Sequence, residues 1–557
     1  MIDFNRLNQY RSRWGALKRE RSTWDPHWAE LGRYFAPRAT RFNLSDRNLG
    51  DKRHNNLLDN TPLRSVRICV AGLMSGMTSP ARPWFKIETP DARLNEYGPV
   101  KVWLAQTTRI MRNVFHRSNT YRALGQMYRD LAVFGTSCNI VLSDFNDVIR
   151  HYPIPMGEYA LALDGRLDPA VMYREYELTV AQVVDEFGYE NCSIRTRNIF
   201  DRGNGLYDTW IPIIHIIEPR KNYDTRSKKA ADMPFASIHF EADMPEKYLR
   251  ESGFKRFRVL APRWEVEGRD VYGQSPGMEA LGDAKQLQQQ QTRKSQAIDY
   301  QTMPPLQAPT TVKGKESSMI PGGITWFDGQ AGNKISSMWD VQLNLQHLTA
   351  DMEGTAQRVN SSFFADLFLM IAQMDKSNVT AREVGERHEE KLLMLGPVLE
   401  RLHNELHSKL IDLTYADMGE AGLLPEPPPE LDKIPLEVEF ISMLAQAQRA
   451  IGIGSVERLL TLTAGLAQLN PTVVDKIDAD QVIDDAADML GVNPELIRAD
   501  EDVEKMRAER AQAQAQAAQM AQAPEAAQTA KTMSETNLEG NTALTSAIDQ
   551  FSGYSGV

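Results

Sequence analysis

Cysteine is scarce in this chain: Cys69, Cys138 and Cys192 are the only three in 557 residues. Their spacing fits no metal or redox motif, and the odd number fits no disulfide framework. A reduced, intracellular compartment is therefore expected. Long apolar runs are also missing. A membrane-spanning helix needs about 18 consecutive apolar residues. The best run here, Ile68–Met77, is shorter and interrupted by glycine. The opening MIDFNRLNQYRSRW has no apolar core of the secretory type, so neither a leader nor a membrane span is expected.

Phosphate-cradling loops are absent too. A Walker A loop ends in Gly-Lys-Ser/Thr, but Gly314-Lys315 is followed by Glu316. Gly203-Asn204-Gly205 and Gly452-Ile453-Gly454 lack the third glycine of a dinucleotide loop. Ser75 and Ser275 lie near glycines without forming a Gly-x-Ser-x-Gly elbow. Asp484-Asp485 sits in an acidic helical pattern, where solvation is the ordinary role. His403-Asn404-Glu405-Leu406-His407 puts two histidines on one helix face. The zincin pattern needs Glu directly after the first His, and no third ligand is evident. These histidines are expected to be helix-surface residues, with no zinc bound. No catalytic, cofactor-binding or metal-ligating residue is assigned, and no enzyme activity is expected.

What is present is a large, ordinary globular composition, 42% hydrophobic and 25% charged, enough for several domains. Net charge is −11 but unevenly spread. Residues 1–67 carry fourteen Lys/Arg against seven Asp/Glu, and residues 425–510 carry eight against eighteen. Such asymmetry marks either a nucleic-acid or partner surface, or simply solvated helix faces.

The most informative stretch is 276–303, PGMEALGDAKQLQQQQTRKSQAIDYQTM. It is built from helix formers, yet Gln288 to Gln296 contains no apolar residue. A helix that is polar all round has no face for an ordinary core. It must span solvent, line an aqueous channel or pack against copies of itself. Met303-Pro304-Pro305 ends it.

Around this rod the organisation is legible. Residues 4–35 read as helix broken near Asp25-Pro26, and Thr61-Pro62 reads as a helix start running to Met77. Gly72 and Gly76 allow close helix packing. From about 133 to 267, short β-rich runs dominate, with one helix at Val180–Phe187 stopped by Gly188. The fold class is therefore α+β. Residues 304–335 are Pro/Gly-rich with two short strands. From Asp340 a single stripe (Val341, Leu345, Leu348, Met352, Ala356, Val359, Phe363) marks a returning helix. A polar break follows at Asp375–Asn378, then a Thr380/Glu383 capping box. The next long helix has a leucine stripe from Leu392 to Leu413, and Pro397 should kink it. Residues 425–435 read as a stiff linker, 437–500 as small acidic helices, and 503–523 as an Ala/Gln-rich helix before a mobile tail.

Several residues keep two readings. Asp375-Lys376 either faces DNA or forms a plain interhelix turn. Lys285, Arg293 and Lys294 either touch phosphates or join subunits. Trp326-Phe327 form either the core of the small β region or a base-stacking platform.

Segments spread to about residue 420 together resemble the head-to-tail connector, or portal, family of short-tailed bacteriophages. They include Trp24-Asp25-Pro26-His27-Trp28, Tyr34-Phe35-Ala36-Pro37, Leu58-Asp59-Asn60-Thr61-Pro62, Ala71–Pro80 and Pro83-Trp84-Phe85. Further on come Arg174–Thr179 with Gln182, Glu186-Phe187-Gly188 and Val271–Gly277, leading into the rod. No motif after about 425 matches. The resemblance implies a ring, usually of twelve copies, around a channel for double-stranded DNA. It implies a wing (1–275), two stem helices (276–303 and 336–363) and a β clip (304–335). Beyond these it implies a tunnel-loop region (364–378), a long kinked helix (379–424), a helical crown (425–502) and a C-terminal helix and tail (503–557). Gln373, Met374, Asp375, Lys376, Ser377 and Asn378 would form the tunnel loop. Lys313, Lys315, Trp326 and Phe327 would lie at the clip interface. Implied partners are a terminase packaging motor, a tail adaptor, capsid and scaffolding proteins, and internal ejection proteins. The implied location is the capsid portal vertex of the virion, after assembly in the host bacterial cytoplasm. Other classes that fit less well are a DNA-processing packaging enzyme and a helical capsid scaffold or adaptor.

Overall fold

A computed structural model describes residues 4–43, 57–302, 306–307, 336–337, 345–374, 394–441 and short helical stretches between 459 and 515, apart from a few single positions. The chain divides into two compact units, Met1–Ala479 and Asp480–Val557. In the second, the helical stretch 505–515 is exposed, and Arg507 pairs with Asp480.

The first unit opens with helices α1 (Phe4–Arg21) and α2 (Asp25–Phe35), parted where Pro26 enters the first turn of α2. Helix α3 spans Thr61–Met77. Thr61 is its first residue rather than its cap, and Asp59 Oδ1 accepts the Thr61 N–H at 2.7 Å. Strand β1 (Phe85–Glu88) leads into helices α4 (Ala92–Glu96), α5 (Gly98–Arg117) and α6 (Thr120–Phe134). Gly135, in the left-handed region at φ 75°, ends α6.

The β region follows with β2 (Cys138–Asp144), β3 (Val148–Ile154), β4 (Tyr159–Leu163) and β5 (Pro169–Thr179). After helices α7 (Val180–Phe187) and α8 (Ile194–Arg202) come β6 (Trp210–Pro219), β7 (Phe235–Glu241), β8 (Arg250–Phe254) and β9 (Val259–Leu260). Strands β4 to β8 make an antiparallel five-stranded sheet in chain order, and β3-β2-β9 a three-stranded one. Alternation decides which way the larger sheet faces. Tyr173, Ile214, Ile216, Ile238 and Phe240 bury against Leu7, Tyr10, Trp14 and Leu17 of α1. Elsewhere, Ile211 and Ile213 pack with Val180, Val183 and Phe187 of α7. Helix α7 is fixed by a full capping box between Thr179 and Gln182, and Gly188 stops it as expected.

Sequence patterning missed β3 and β8. VIRHYPI carries Arg150, His151 and Pro153, and RESGF is a short polar edge strand. It also missed α8.

Helix α9 (Pro276–Thr302) leaves the β region, and α10 (Leu345–Ser362) returns. Between them Leu306–Gln307 (β10) pairs antiparallel with Ser336–Ser337 (β11). Two strands were expected within 304–335. The second lies at 336–337 instead, inside the span assigned to the returning helix. Helix α11 (Ala365–Met374) then packs on α3, where a Cβ on Gly72 would lie 2.1 Å from the Phe368 ring. Helices α12 (394–402) and α13 (Ser408–Glu420) follow, joined by a π turn at His403–His407. The departure from α geometry thus lies six residues past Pro397, where the kink was expected. Leu395, Leu399, Leu402, Leu406, Leu410 and Leu413 are all buried, as the stripe required.

Beyond the Pro-rich segment the chain does not continue as helix. Glu437–Phe440 forms β12, antiparallel to β1 with Phe85 opposite Phe440. Its EVEF alternation suits a strand. Lys86 Nζ joins both acids beside it, at 2.6 Å from Glu88 and 2.7 Å from Glu439.

The close approach of α3 and α11 generates a prediction. Gly72→Leu should destabilise the protein by at least about 1–3 kcal/mol through overpacking. The readout is the urea midpoint. Gly98→Ala is the control, since nothing lies within 4 Å of that position's added carbon.

Candidate functional site: a helical hairpin and the clasp that holds its support

The polar rod is polar only in its outer half. Ala280, Leu281, Ala284 and Leu287 of α9 are buried, and α9 packs on α2 and α6. The expectation that its glutamines are satisfied by water and neighbouring copies fails for two of them. Gln288 Oε1 accepts the N–H groups of Leu58 (2.7 Å) and Asp59 (2.8 Å), and its Nε2 donates to the Asp59 carbonyl (2.9 Å). Gln290 Nε2 donates to Asp351 of α10. These bonds replace the apolar contacts that a core helix would use.

Helices α9 and α10 form an antiparallel hairpin. Asp283 pairs with Arg358 at 2.9 Å near the base, and Gln290 meets Asp351 further out. Met352, Val359 and Phe363 are buried, while Leu348 and Ala356 are half-buried. Val341 lies outside the described residues. Beyond Gln290 the α9 surface is mostly open, with Arg293, Gln296 and Asp299 exposed.

The residues assigned a role by sequence fall in different places. Lys285 forms an ion pair with Glu30 of α2 in the same chain. Arg293 is exposed and Lys294 half-buried, and neither has an ion-pair partner among the described residues. Gln373 and Met374 belong to the last turn of α11 rather than to a loop. Asp375, Lys376, Ser377 and Asn378 lie outside the described residues, as do Lys313, Lys315, Trp326, Phe327 and the Thr380/Glu383 box.

A second feature went unread in the sequence. Two buried arginines clasp the long helix to the β region. Arg258 holds Asp417 of α13 in a bidentate pair at 2.6 and 2.7 Å, and Ser143 Oγ donates to the same carboxylate at 3.0 Å. Arg263 holds Glu405 in the π turn at 2.8 Å, with its own N–H donating to that carboxylate at 2.9 Å. Arg263 also donates to the carbonyls of Leu167 (3.0 Å) and Asp270 (3.3 Å). Partners more than 140 residues apart leave no local signal.

The two histidines of the π turn are not helix-surface residues. His407 is fully buried and His403 is half-buried. His407 Nε2 meets Tyr128 Oη at 2.8 Å, which meets Thr78 Oγ1 at 3.0 Å. The two Nδ1 atoms lie 3.1 Å apart, so one ring donates to the other. His403 stacks on Phe440 at 3.9 Å. Trp84, Phe440 and Tyr128 close the site around these rings. Among the described residues no cluster of His, Cys, Asp and Glu suits a metal ion. No described helix is long and apolar enough to cross a membrane.

A family model described as "Bacteriophage head to tail connecting protein" matches residues 7–497. The chain belongs to this family. The "Probable portal protein" of Bordetella phage BPP-1 is 49% identical over 545 residues, 98% of each chain. The "Portal protein" of Salmonella phage epsilon15 is 45% identical over 534 residues, 95% of each. The likeness therefore runs past residue 425, where sequence reading found no matching motif. Among solved structures, a chain in the "Virion of native gene transfer agent (GTA) particle" covers 84% of this chain and 93% of its own. At 10% identity and a TM-score of 0.38 that likeness is distant. The protein is thus a head-to-tail connector, or portal protein, and the hairpin and clasp are parts of a portal subunit.

Two predictions follow from the clasp and the π turn. Asp417→Ala should cost about 3–5 kcal/mol, because it strands a buried guanidinium. Adding Arg258→Met should recover part of that loss in urea unfolding. Burial holds His403 down at about 4 from its ordinary 6.5. The unfolded chain then binds the proton first, so this stability is intact above about pH 6.5 and lost between 6.5 and 4. Burial pushes Asp130 up to about 6 and Glu158 up to about 7, with the opposite sign. His403→Phe should therefore lose less stability than the parent between pH 6.5 and 4, measured by urea unfolding at each pH.

Proposed function

We propose that this portal protein forms a ring, of twelve copies, at one capsid vertex. Double-stranded DNA passes non-specifically through its centre during packaging and ejection. The observation that carries the reading is the hairpin of α9 and α10, anchored at its base and polar in its outer half. Among the described residues that outer half is mostly open. Copies side by side around an aqueous channel give it both water and polar neighbours.

In this reading residues 1–275 are the wing, 276–303 and 336–363 the stem, and 304–335 the clip. Lys313, Lys315, Trp326 and Phe327 belong to the clip surface that meets the terminase motor and later the tail adaptor. Asp375 to Asn378 form the tunnel loop, following Gln373 and Met374 at the end of α11, and Arg293 and Lys294 lie on the stem. Residues 425–502 form the crown, which shares a border with the wing because β12 pairs with β1. Capsid, scaffolding and internal ejection proteins are further partners. The role is structural rather than enzymatic, and its place is the virion after assembly in the host cytoplasm. A mostly acidic chain suits a DNA conduit, because a basic wall holds phosphates through counterion release.

Negative-stain electron microscopy of the purified protein should show rings with a central hole. Gln290→Pro breaks α9 at its bond to Asp351. It should abolish rings while leaving the β region folded by circular dichroism. Intact rings from that variant, or a compact monomer from the parent, would overturn the proposal.

A further inference from the structure

One face of the molecule contradicts its overall charge. From Gly98 to Arg129 the sequence carries six Lys/Arg and no Asp or Glu. Helix α5 buries Val100, Trp103, Leu104, Thr107, Met111, Val114 and Phe115 on its inner side. Its outer side presents Arg109, Asn113 and Arg117, at steps of four residues, so they form one row. Arg122, also exposed, lies in the first turn of α6. Among the described residues, no acid forms an ion pair with Arg109, Arg112, Arg117 or Arg122. Arg112 Nε is buried beside this row without a hydrogen-bond partner. Several arginines elsewhere in the unit do meet an acid: Arg13 with Glu218, Arg258 with Asp417, Arg263 with Glu405, Arg358 with Asp283.

We infer that the outer face of α5 and the start of α6 is a holding site for the phosphate backbone of duplex DNA. Three observations choose this partner. Every charged residue on this face is basic, with Val102 the exposed apolar residue of α5, whereas an interface between copies needs an apolar, aromatic centre. Arginine and asparagine are ordinary donors to phosphate oxygens. Arg109 to Arg117 spans about 12 Å of helix, the length of three to four phosphates along one strand. The net charge of −11 does not prevent this, since charges beyond about 8 Å are screened at physiological salt. A basic row grips DNA and slows its sliding, so the site retains DNA rather than conducting it. The inference adds to the portal reading and does not require any particular ring size.

The test uses the full-length protein as purified and a fluorescein-labelled 30-bp duplex of arbitrary sequence. Binding is read by anisotropy from 50 to 200 mM NaCl. Three neutralised phosphates make the binding constant fall roughly 40-fold over that range. Arg109→Ala/Arg117→Ala/Arg122→Ala should remove that factor from the salt dependence and weaken binding at 50 mM. The triple Lys variant should keep both, which guards against a folding defect in the Ala protein. Unchanged affinity and salt dependence in the Ala variant would overturn the inference. So would poly-glutamate displacing the duplex at equal charge concentration, which would make the face a site for an acidic protein segment. Ring formation, seen separately in the microscope, tests the portal reading and is independent of this result.

Discussion

The pairing of two buried arginines with two carboxylates of the long helix holds the subunit together. Arg258–Asp417 and Arg263–Glu405 are ionic contacts taken out of water, which is costly unless every donor finds an acceptor. Here the geometry largely provides this. Asp417 accepts both arms of one guanidinium and a serine hydroxyl. Glu405 accepts from the side chain and backbone of one arginine, and that arginine also ties down two carbonyls. Leucines alone would let a helix slide or rotate on its bed. The ionic contacts fix its register against the β region, and the His403–Phe440 stack ties β12 to it.

The hairpin continues this arrangement outward. Its base is apolar and ion-paired, its middle is held by glutamine hydrogen bonds, and its outer part is open. Polarity therefore rises along one helix, from Ala280 to Gln296. In a single chain that gradient looks like a helix losing its core. In the ring proposed above it is a transition from an interior that belongs to one subunit to a surface shared between copies and water.

Local signals read well and distant ones did not. The limits of α3 and α7, the leucine stripe and six of the strands came from short-range pattern. The strands β3 and β8 were hidden by charged or proline residues. Strand β12 was hidden because its alternation is only four residues long and its partner, Phe85–Glu88, lies some 350 residues away. His403 and His407 looked like surface residues because a 3.6-residue wheel places them beside the leucines. The partners that bury them, Tyr128, Trp84 and Phe440, come from elsewhere in the chain. The first half of α9 was misjudged for a related reason. Alanines and one glutamine can bury when the facing chain offers backbone groups, as Leu58 and Asp59 do.

The π turn at His403–His407 has a consequence for how the helix is phased. It accommodates one more residue than an α turn would, and each residue of an α-helix advances about 100° around the axis. The leucines from Leu395 to Leu413 recur every 3.6 residues on average, so an unbroken α-helix would put Leu395 and Leu413 in line. The wider turn sets α13 off that line against α12, so the two segments present their leucines to the bed at different azimuths. The helix is thus two segments seated separately, not one continuous stripe.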